Sequence, residues 1–144
     1  MPGYGIAECA FLHTKGTPAR LRCGFAADFG DGWEDHWVCE YWDSQETRWR
    51  LSDAQLDGVI AAARNVTFDP ANVPRHVFLT AGEAWLRCRS RNDDPNRYGH
   101  GRTRGIWFMH VNVVRDVLAT NDREASAWDR WREAPPAARA VTQQ

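Results

Sequence analysis

The residues of this chain that best fit catalytic chemistry are a histidine and an aspartate, His36 and Asp53. They lie in two segments, residues 35–42 and 47–53, that alternate in character and are rich in Trp, Tyr and Val. Such alternation and composition are typical of β-strands. The polar residues 43–46 between them suit a hairpin loop, so the sequence predicts two antiparallel strands that carry the histidine and the aspartate.

One hairpin register brings the two side chains together. If Trp42 lies opposite Thr47, His36 lies opposite Asp53, and directly opposed residues have Cβ atoms about 4.5–5.5 Å apart on one face of the sheet. A carboxylate there can fix the tautomer and the orientation of an imidazole, as the base and its partner do in a nucleophilic triad. The alternative is that neither residue is catalytic: His36 would be a structural residue of its strand, and Asp53 would cap the end of the next strand.

The composition is that of an ordinary globular chain. Its 144 residues suit one domain, and 43% hydrophobic with 26% charged residues is usual for a protein with a packed core. The net charge of −1 does not favour binding to nucleic acid or to an anionic membrane. Residues 133–144 are rich in Pro, Ala and Gln, so we expect a disordered tail there after a domain of residues 1–132.

Four cysteines, Cys9, Cys23, Cys39 and Cys88, do not form a metal-binding pattern. None belongs to a Cys-x-x-Cys pair and no histidine lies at zinc-finger spacing, so we expect no metal and no cofactor. The start of the chain lacks the basic and apolar segments of a signal peptide, and no stretch approaches a membrane span of about 20 apolar residues. The sequence therefore predicts a cytoplasmic protein with reduced thiols.

Hydrophobic periodicity predicts an α+β fold, with an antiparallel sheet of three or more strands packed against helices. The last predicted helix has Ile106, Met109, Val113 and Val117 on one face. The predicted helices span residues 5–15, 56–64, 76–89 and 105–120; the strands span residues 19–25, 35–42 and 47–53; the main loops span residues 68–74 and 90–104.

Several short motifs follow one another along the chain: Gly16-Thr-Pro-Ala-Arg20, Cys23-Gly-Phe25, Asp35-His-Trp-Val-Cys-Glu-Tyr-Trp42, Trp49-Arg-Leu-Ser-Asp-Ala-Gln-Leu-Asp57, Phe68-Asp-Pro, Val73-Pro-Arg75, Ala84-Trp-Leu-Arg87, Gly105-Ile-Trp-Phe108 and Asn112-Val-Val-Arg-Asp116. In this order they resemble a transglutaminase-like domain, and the later ones resemble a bacterial subgroup of that family. The similarity covers roughly Cys9 to Trp131. It implies a papain-like cysteine-proteinase core and a Cys-His-Asp triad.

The resemblance assigns a role to each position of the triad. It implies that His36 is the general base and that Asp53 orients it. The family's nucleophilic cysteine lies at the N-terminus of the helix before the Gly-x-Pro-Ala-Arg turn, where the helix dipole and a neighbouring imidazolium favour a thiolate. That position falls on Met1 in this chain, so we expect a domain that lacks the N-terminal part with the catalytic cysteine.

Cys9 is the nearest substitute for that cysteine, but it lies eight residues beyond Met1 on the predicted helix. This spacing is about 12 Å along a helix axis, whereas a nucleophile must lie within hydrogen-bond reach of its base. We therefore expect Cys9 to be a buried, slowly reacting thiol.

The resemblance implies thiol-dependent acyl transfer or hydrolysis at glutamine or peptide amides, with a protein or peptide as substrate. Without the nucleophile we expect a chain that is inactive as written. A non-catalytic binding or scaffold module that keeps the cleft is one alternative, and a truncated remnant that folds poorly is the other. The sequence does not indicate an oligomeric state.

Overall fold

The computed structural model describes residues 2–27, 29 and 32–123. In that part of the chain the fold is α+β, with a six-stranded sheet packed against helices, as the periodicity predicted. None of the helices in these residues is long and apolar enough to cross a membrane. Met1, the expected nucleophile position, and residues 133–144, the expected disordered tail, lie outside the described residues.

The strands form one mixed sheet. They are β1 Ala19–Ala26, β2 Trp33–Asp43, β3 Arg48–Ser52, β4 Phe78–Thr80, β5 Tyr98–His100 and β6 Thr103–Arg104. Their order is β4, β1, β2, β5, β6, and β3 pairs with the C-terminal half of β2. The pairing of β2 with β5 is parallel, so the expectation of a purely antiparallel sheet was wrong at this position.

The described residues contain four α-helices: α1 Pro2–Thr14, α2 Gly58–Ala63, α3 Ala81–Arg89 and α4 Ile106–Ala119. Single 3-10 turns occur at Pro70–Asn72 and Pro95–Arg97. The short helix α2 begins after Asp57, whose carboxylate accepts hydrogen bonds from the backbone N–H groups of Val59 and Ile60. Such an N-cap satisfies donors that a helix start otherwise leaves unpaired.

Two predicted segments have different local structures. The segment 76–89 is not one helix, because Phe78–Thr80 pairs with β1 and the helix begins only afterwards. Thr80 and Glu83 form a capping box, which fixes the helix start at Ala81. The predicted loop 90–104 contains β5 and β6, which are too short to produce a periodic pattern.

The buried side of α4 differs from the prediction. Ile106 and Val117 are 49% and 56% exposed, although Met109 is buried as expected. Polar residues take the buried positions because they bond to the sheet. Asn112 donates to the Asp35 carboxylate at 2.7 Å, and Asp116 accepts from β1. The full buried set is Met109, Asn112, Arg115, Asp116 and Ala119.

Regular alternation along β1, β2 and β3 divides the sheet into two faces. The helix face packs against α1, α3 and α4, and the loop face is covered by loop residues. The helix face contains Leu21, Cys23, Phe25, Trp33, Trp37 and Cys39. The loop face contains Ala26, Val38 and Leu51 under Phe29, Phe68, Val73 and Val77, and the same alternation places His36 and Glu40 on it.

The buried carboxylate of Glu40 forms ion pairs that connect the loop face of the sheet with arginines of β1. Glu40 is 1% exposed, and its oxygens accept from Arg20, Arg22 and Arg75 at 2.6–2.8 Å. Burial alone would raise the pKa of Glu40, but the three guanidinium groups lower it. Arg22 also forms a two-point contact with Asp116 of α4, so this network holds a helix and a loop to the same strand.

Gly24 tests the packing of the sheet around its central strands. It pairs with His36 on one side and Thr80 on the other, and an added Cβ would lie 2.1 Å from the carbonyl oxygen of Leu79. We expect Gly24→Ala to lower the free energy of unfolding by at least about 2 kcal/mol, because backbone atoms must shift to admit the methyl group.

The matched control is Gly82→Ala in α3, where an added Cβ meets no atom within 4 Å. We expect this variant to be more stable by up to about 1 kcal/mol, because alanine favours the helix. Denaturant unfolding of both variants measures the contrast. Equal stabilities for the wild type and Gly24→Ala would contradict the described approach of β1 and β4.

Candidate functional site

The structure brings His36 and Asp53 into contact, as the sequence predicted. His36 Nε2 lies 2.6 Å from Asp53 Oδ2. The two residues are 3% and 4% exposed, so the contact is shielded from water. Hydrogen bonds of this length between an imidazole and a carboxylate are strong in a protein interior.

The hairpin register differs from the predicted one by two residues. Trp42 lies opposite Trp49 rather than opposite Thr47. The reason lies in the turn, where the Asp43 carboxylate accepts from two backbone N–H groups and Thr47 adopts a left-handed conformation with φ 50°. A shift of two residues keeps every side chain on its face, so Asp53, just past the end of β3, still reaches the loop-face histidine diagonally.

The position of Asp53 is fixed by the backbone around it. Its own N–H donates to the carbonyl of Pro70 at 2.9 Å. Its second carboxylate oxygen, Oδ1, accepts from the N–H of Gln55 at 3.0 Å. Because Oδ1 is held in this way, Oδ2 is the oxygen presented to His36.

An aromatic ring covers the imidazole on the loop face. The ring of Phe29 lies 4.4 Å from that of His36 between centroids, with an interplanar angle of 31°. The guanidinium of Arg64 lies 4.3 Å from the centroid of Phe29. This stacking accounts for the low exposure of His36 and fixes the plane of its ring.

The hydrogen bond assigns the two nitrogens of the imidazole different roles. Nε2 faces a carboxylate, which only accepts, so Nε2 carries the proton in the neutral ring. Nδ1 is then the basic nitrogen. This is the arrangement that a general base needs when an acidic residue holds its tautomer.

All four cysteines lie away from the imidazole, on the side of the sheet that the helices cover. Cys9 of α1 contacts Cys39 of β2 with 2.9 Å between the two Sγ atoms, and Cys39 points to the face opposite His36. Cys23 packs with α4 on that same face, and Cys88 of α3 packs on the helix-face cluster. The sheet therefore separates Cys9, the candidate substitute nucleophile, from the base.

The expectation of a buried Cys9 is confirmed, because it is 7% exposed. Burial also raises the pKa values of the Cys23 and Cys88 thiols, which disfavours a thiolate at either position. Trp33 and Trp37, which are 7% and 2% exposed, are core residues and do not line an open groove.

Sequence reasoning did not identify Glu8 as a residue connected to the site. The hydroxyl of Ser52 donates to Glu8 Oε1 at 2.5 Å, and Ser52 directly precedes Asp53. Burial is the main reason that the pKa of Glu8 is raised. One feature of the sequence could have indicated this contact. Glu8 is the single acidic residue of α1, and a charged side chain that faces the protein interior needs a partner.

The described residues contain no group of three or more His, Cys, Asp or Glu side chains that could hold a metal ion. No protein-family model matches the chain, and searches of curated proteins and of solved structures give no match. The motifs quoted above and the geometry of His36 and Asp53 are therefore the observations on which a functional proposal stands.

The tautomer of His36 responds to its partner in a way that can be measured. In Asp53→Asn we expect the amide oxygen to keep the hydrogen bond from Gln55 N–H, so that the amide nitrogen faces His36. Because an amide nitrogen only donates, Nε2 must become the acceptor and the proton must move to Nδ1. Two-bond ¹H–¹⁵N correlation spectra of the neutral imidazole distinguish the two tautomers.

Asp57→Asn is the matched control, since Asp57 caps α2 and makes no hydrogen bond with His36. We expect it to leave the Nε2–H tautomer unchanged. A spectrum of Asp53→Asn that still shows Nε2–H would mean that Asp53 does not determine the tautomer.

Proposed function

We propose that this chain is a transglutaminase-like domain in which His36 and Asp53 are the general base and its orienting partner. The reaction of this site type is acyl transfer or hydrolysis at a glutamine or peptide amide. The carrying observation is the buried contact of 2.6 Å between His36 Nε2 and Asp53 Oδ2, with Asp53 Oδ1 held by the backbone. The ordered motifs support the same assignment.

In this chemistry a thiol gives its proton to Nδ1 of His36 and attacks the amide carbonyl. Ammonia or an amine leaves with a proton returned by the imidazolium, and a thioester remains. An incoming amine or water then gives a proton to the imidazole and displaces the thiol, which restores the site. Asp53 stabilises the imidazolium at each stage without accepting its proton.

The position of the thiols leads us to propose that the chain is inactive as written. Cys9, Cys23, Cys39 and Cys88 all lie on the helix side of the sheet, and His36 lies on the loop face. Without a thiolate in hydrogen-bond reach of the imidazole, the acyl-enzyme cannot form.

A non-catalytic binding or scaffold module is the second candidate function. The observation that favours it is the ring of Phe29 stacked on His36, which leaves the histidine only 3% exposed. In that case the pair stabilises the hairpin and the loop face rather than serving a reaction.

We expect the purified chain to catalyse neither amine incorporation into a glutamine-containing protein nor release of ammonia. The wild type and His36→Ala should give the same background rate, because no thiol is positioned for the base to activate. Fluorescent-amine incorporation and a coupled ammonia assay measure the two reactions. Turnover in the wild type that is lost in His36→Ala would show that a working nucleophile is present.

A cysteine at the position implied by the family resemblance tests the assignment itself. We expect Met1→Cys, expressed behind a short tag, to gain a thiol that is alkylated at least about tenfold faster than free cysteine at neutral pH, because a thiolate next to a base has a lowered pKa. Pro2→Cys behind the same tag is the neighbouring control and should not gain this rate.

His36→Ala in the Met1→Cys background should remove the gain. If the new thiol reacts at the rate of free cysteine, or equally fast without His36, the proposed triad position is wrong. The non-catalytic module is then the function that the site supports.

A further inference from the structure

We propose that Cys9 and Cys39 form a redox-active dithiol, in which Cys9 is the attacking thiol and Cys39 the resolving thiol, and that a hydroperoxide converts them into an intramolecular disulfide. This activity lies on the helix face and is independent of His36 and of the proposed acyl-transfer site. A test of the dithiol can therefore fail without affecting the proposed function, and the reverse also holds.

The first observation is the closeness of two reduced thiols on different elements. The Sγ atoms of Cys9 in α1 and Cys39 in β2 are 2.9 Å apart, and both cysteines are free. They are 7% and 0% exposed within an apolar cluster that includes Ala19 and Leu21. A disulfide bond is about 2.05 Å long, so the two sulfurs need to approach each other by only about 0.9 Å more.

The second observation is a cavity that reaches one of the two thiols. A space of about 210 Å³ lies between α1, β1 and the end of α4, and Cys9 is among its lining residues whereas Cys39 is not. One liquid water occupies about 30 Å³, so this cavity has room for a small hydroperoxide. Its other lining residues include Ile6, His13, Arg20, Leu21 and Arg123.

The two thiols also differ in acidity, in the direction that these roles require. The hydrogen bond with Cys39 lowers the pKa of Cys9, whereas the same bond and burial raise the pKa of Cys39. Cys9 is also the thiol that lines the cavity, so its thiolate is the one that a hydroperoxide can reach. A thiolate is the form that attacks a peroxide.

The reaction balances with one hydroperoxide. The Cys9 thiolate attacks the peroxide oxygen, the O–O bond breaks, and Cys9 becomes a sulfenic acid while an alcohol or water leaves after taking up a proton. Cys39 then loses its proton, attacks the Cys9 sulfur and displaces hydroxide, which leaves as water. The two thiols lose two electrons in total, and the peroxide gains them.

The disulfide would join α1 covalently to the central strand. Cross-linking residues 9 and 39 restricts the unfolded chain, so the oxidised protein should unfold at a higher temperature than the reduced one. Reduction with dithiothreitol should reverse the change.

The test begins with the reduced wild-type chain. It is exposed to hydrogen peroxide, the remaining thiols are blocked with N-ethylmaleimide, and the protein is mapped by non-reducing peptide mass spectrometry. We expect loss of two of the four thiols and one cross-linked pair of peptides, containing Cys9 and Cys39. A folded protein that keeps four thiols, or that cross-links another pair, would overturn the proposal.

Variants then test the order of the two roles. In Cys39→Ser we expect the sulfenic acid to persist on Cys9 and to be trapped by dimedone, whereas Cys9→Ser should give no adduct on Cys39. Cys88→Ser is the matched control and should still form the Cys9–Cys39 disulfide. A dimedone adduct on Cys39 instead of Cys9 would contradict the assignment of the attacking thiol. If a variant fails to fold, the peptide map of the oxidised wild-type chain decides whether the disulfide forms.

Discussion

The alternation of side chains along β2 is the constraint on which the rest of this structure depends. In continuous register with β1 and β3, this strand directs His36, Val38 and Glu40 to the loop face and Trp37 and Cys39 to the helix face. The sheet therefore separates two sets of reactive groups. The imidazole of His36 and the carboxylate of Asp53 lie on the loop face, and the cysteine thiols lie on the helix face.

Each face is held by a different kind of interaction. On the helix face, apolar packing is combined with Asp116, which accepts from the N–H of Cys23 and from Arg22 at the open edge of β1. On the loop face, Glu40 forms ion pairs with three guanidinium groups and is 1% exposed. Removing one partner of such a buried pair leaves an uncompensated charge, so these contacts hold the chain in one arrangement even where their net contribution to stability is small.

The contact of His36 with Asp53 could be predicted from sequence because a period of two decides the face of a residue, and a register shift of two residues does not change it. The register shift itself could not be predicted, because the hydrogen bonds that Asp43 accepts in the turn do not change the alternation of residue types along the strands. The buried polar side of α4 could not be predicted either, because residues such as Asn112 are buried through bonds to distant strands. The placement of α1 on the face opposite the histidine is likewise a tertiary property.

The central claim is that no native thiol of this chain is activated by His36. Pulse alkylation with iodoacetamide, followed by mass spectrometry, gives the rate at each of the four cysteines in the wild type and in His36→Ala. We predict that the rate at each of the four cysteines is the same in both proteins, because His36 lies on the face of the sheet opposite all four thiols. A cysteine that reacts rapidly in the wild type and slows at least about tenfold in His36→Ala, as a thiolate losing its base would, would contradict it.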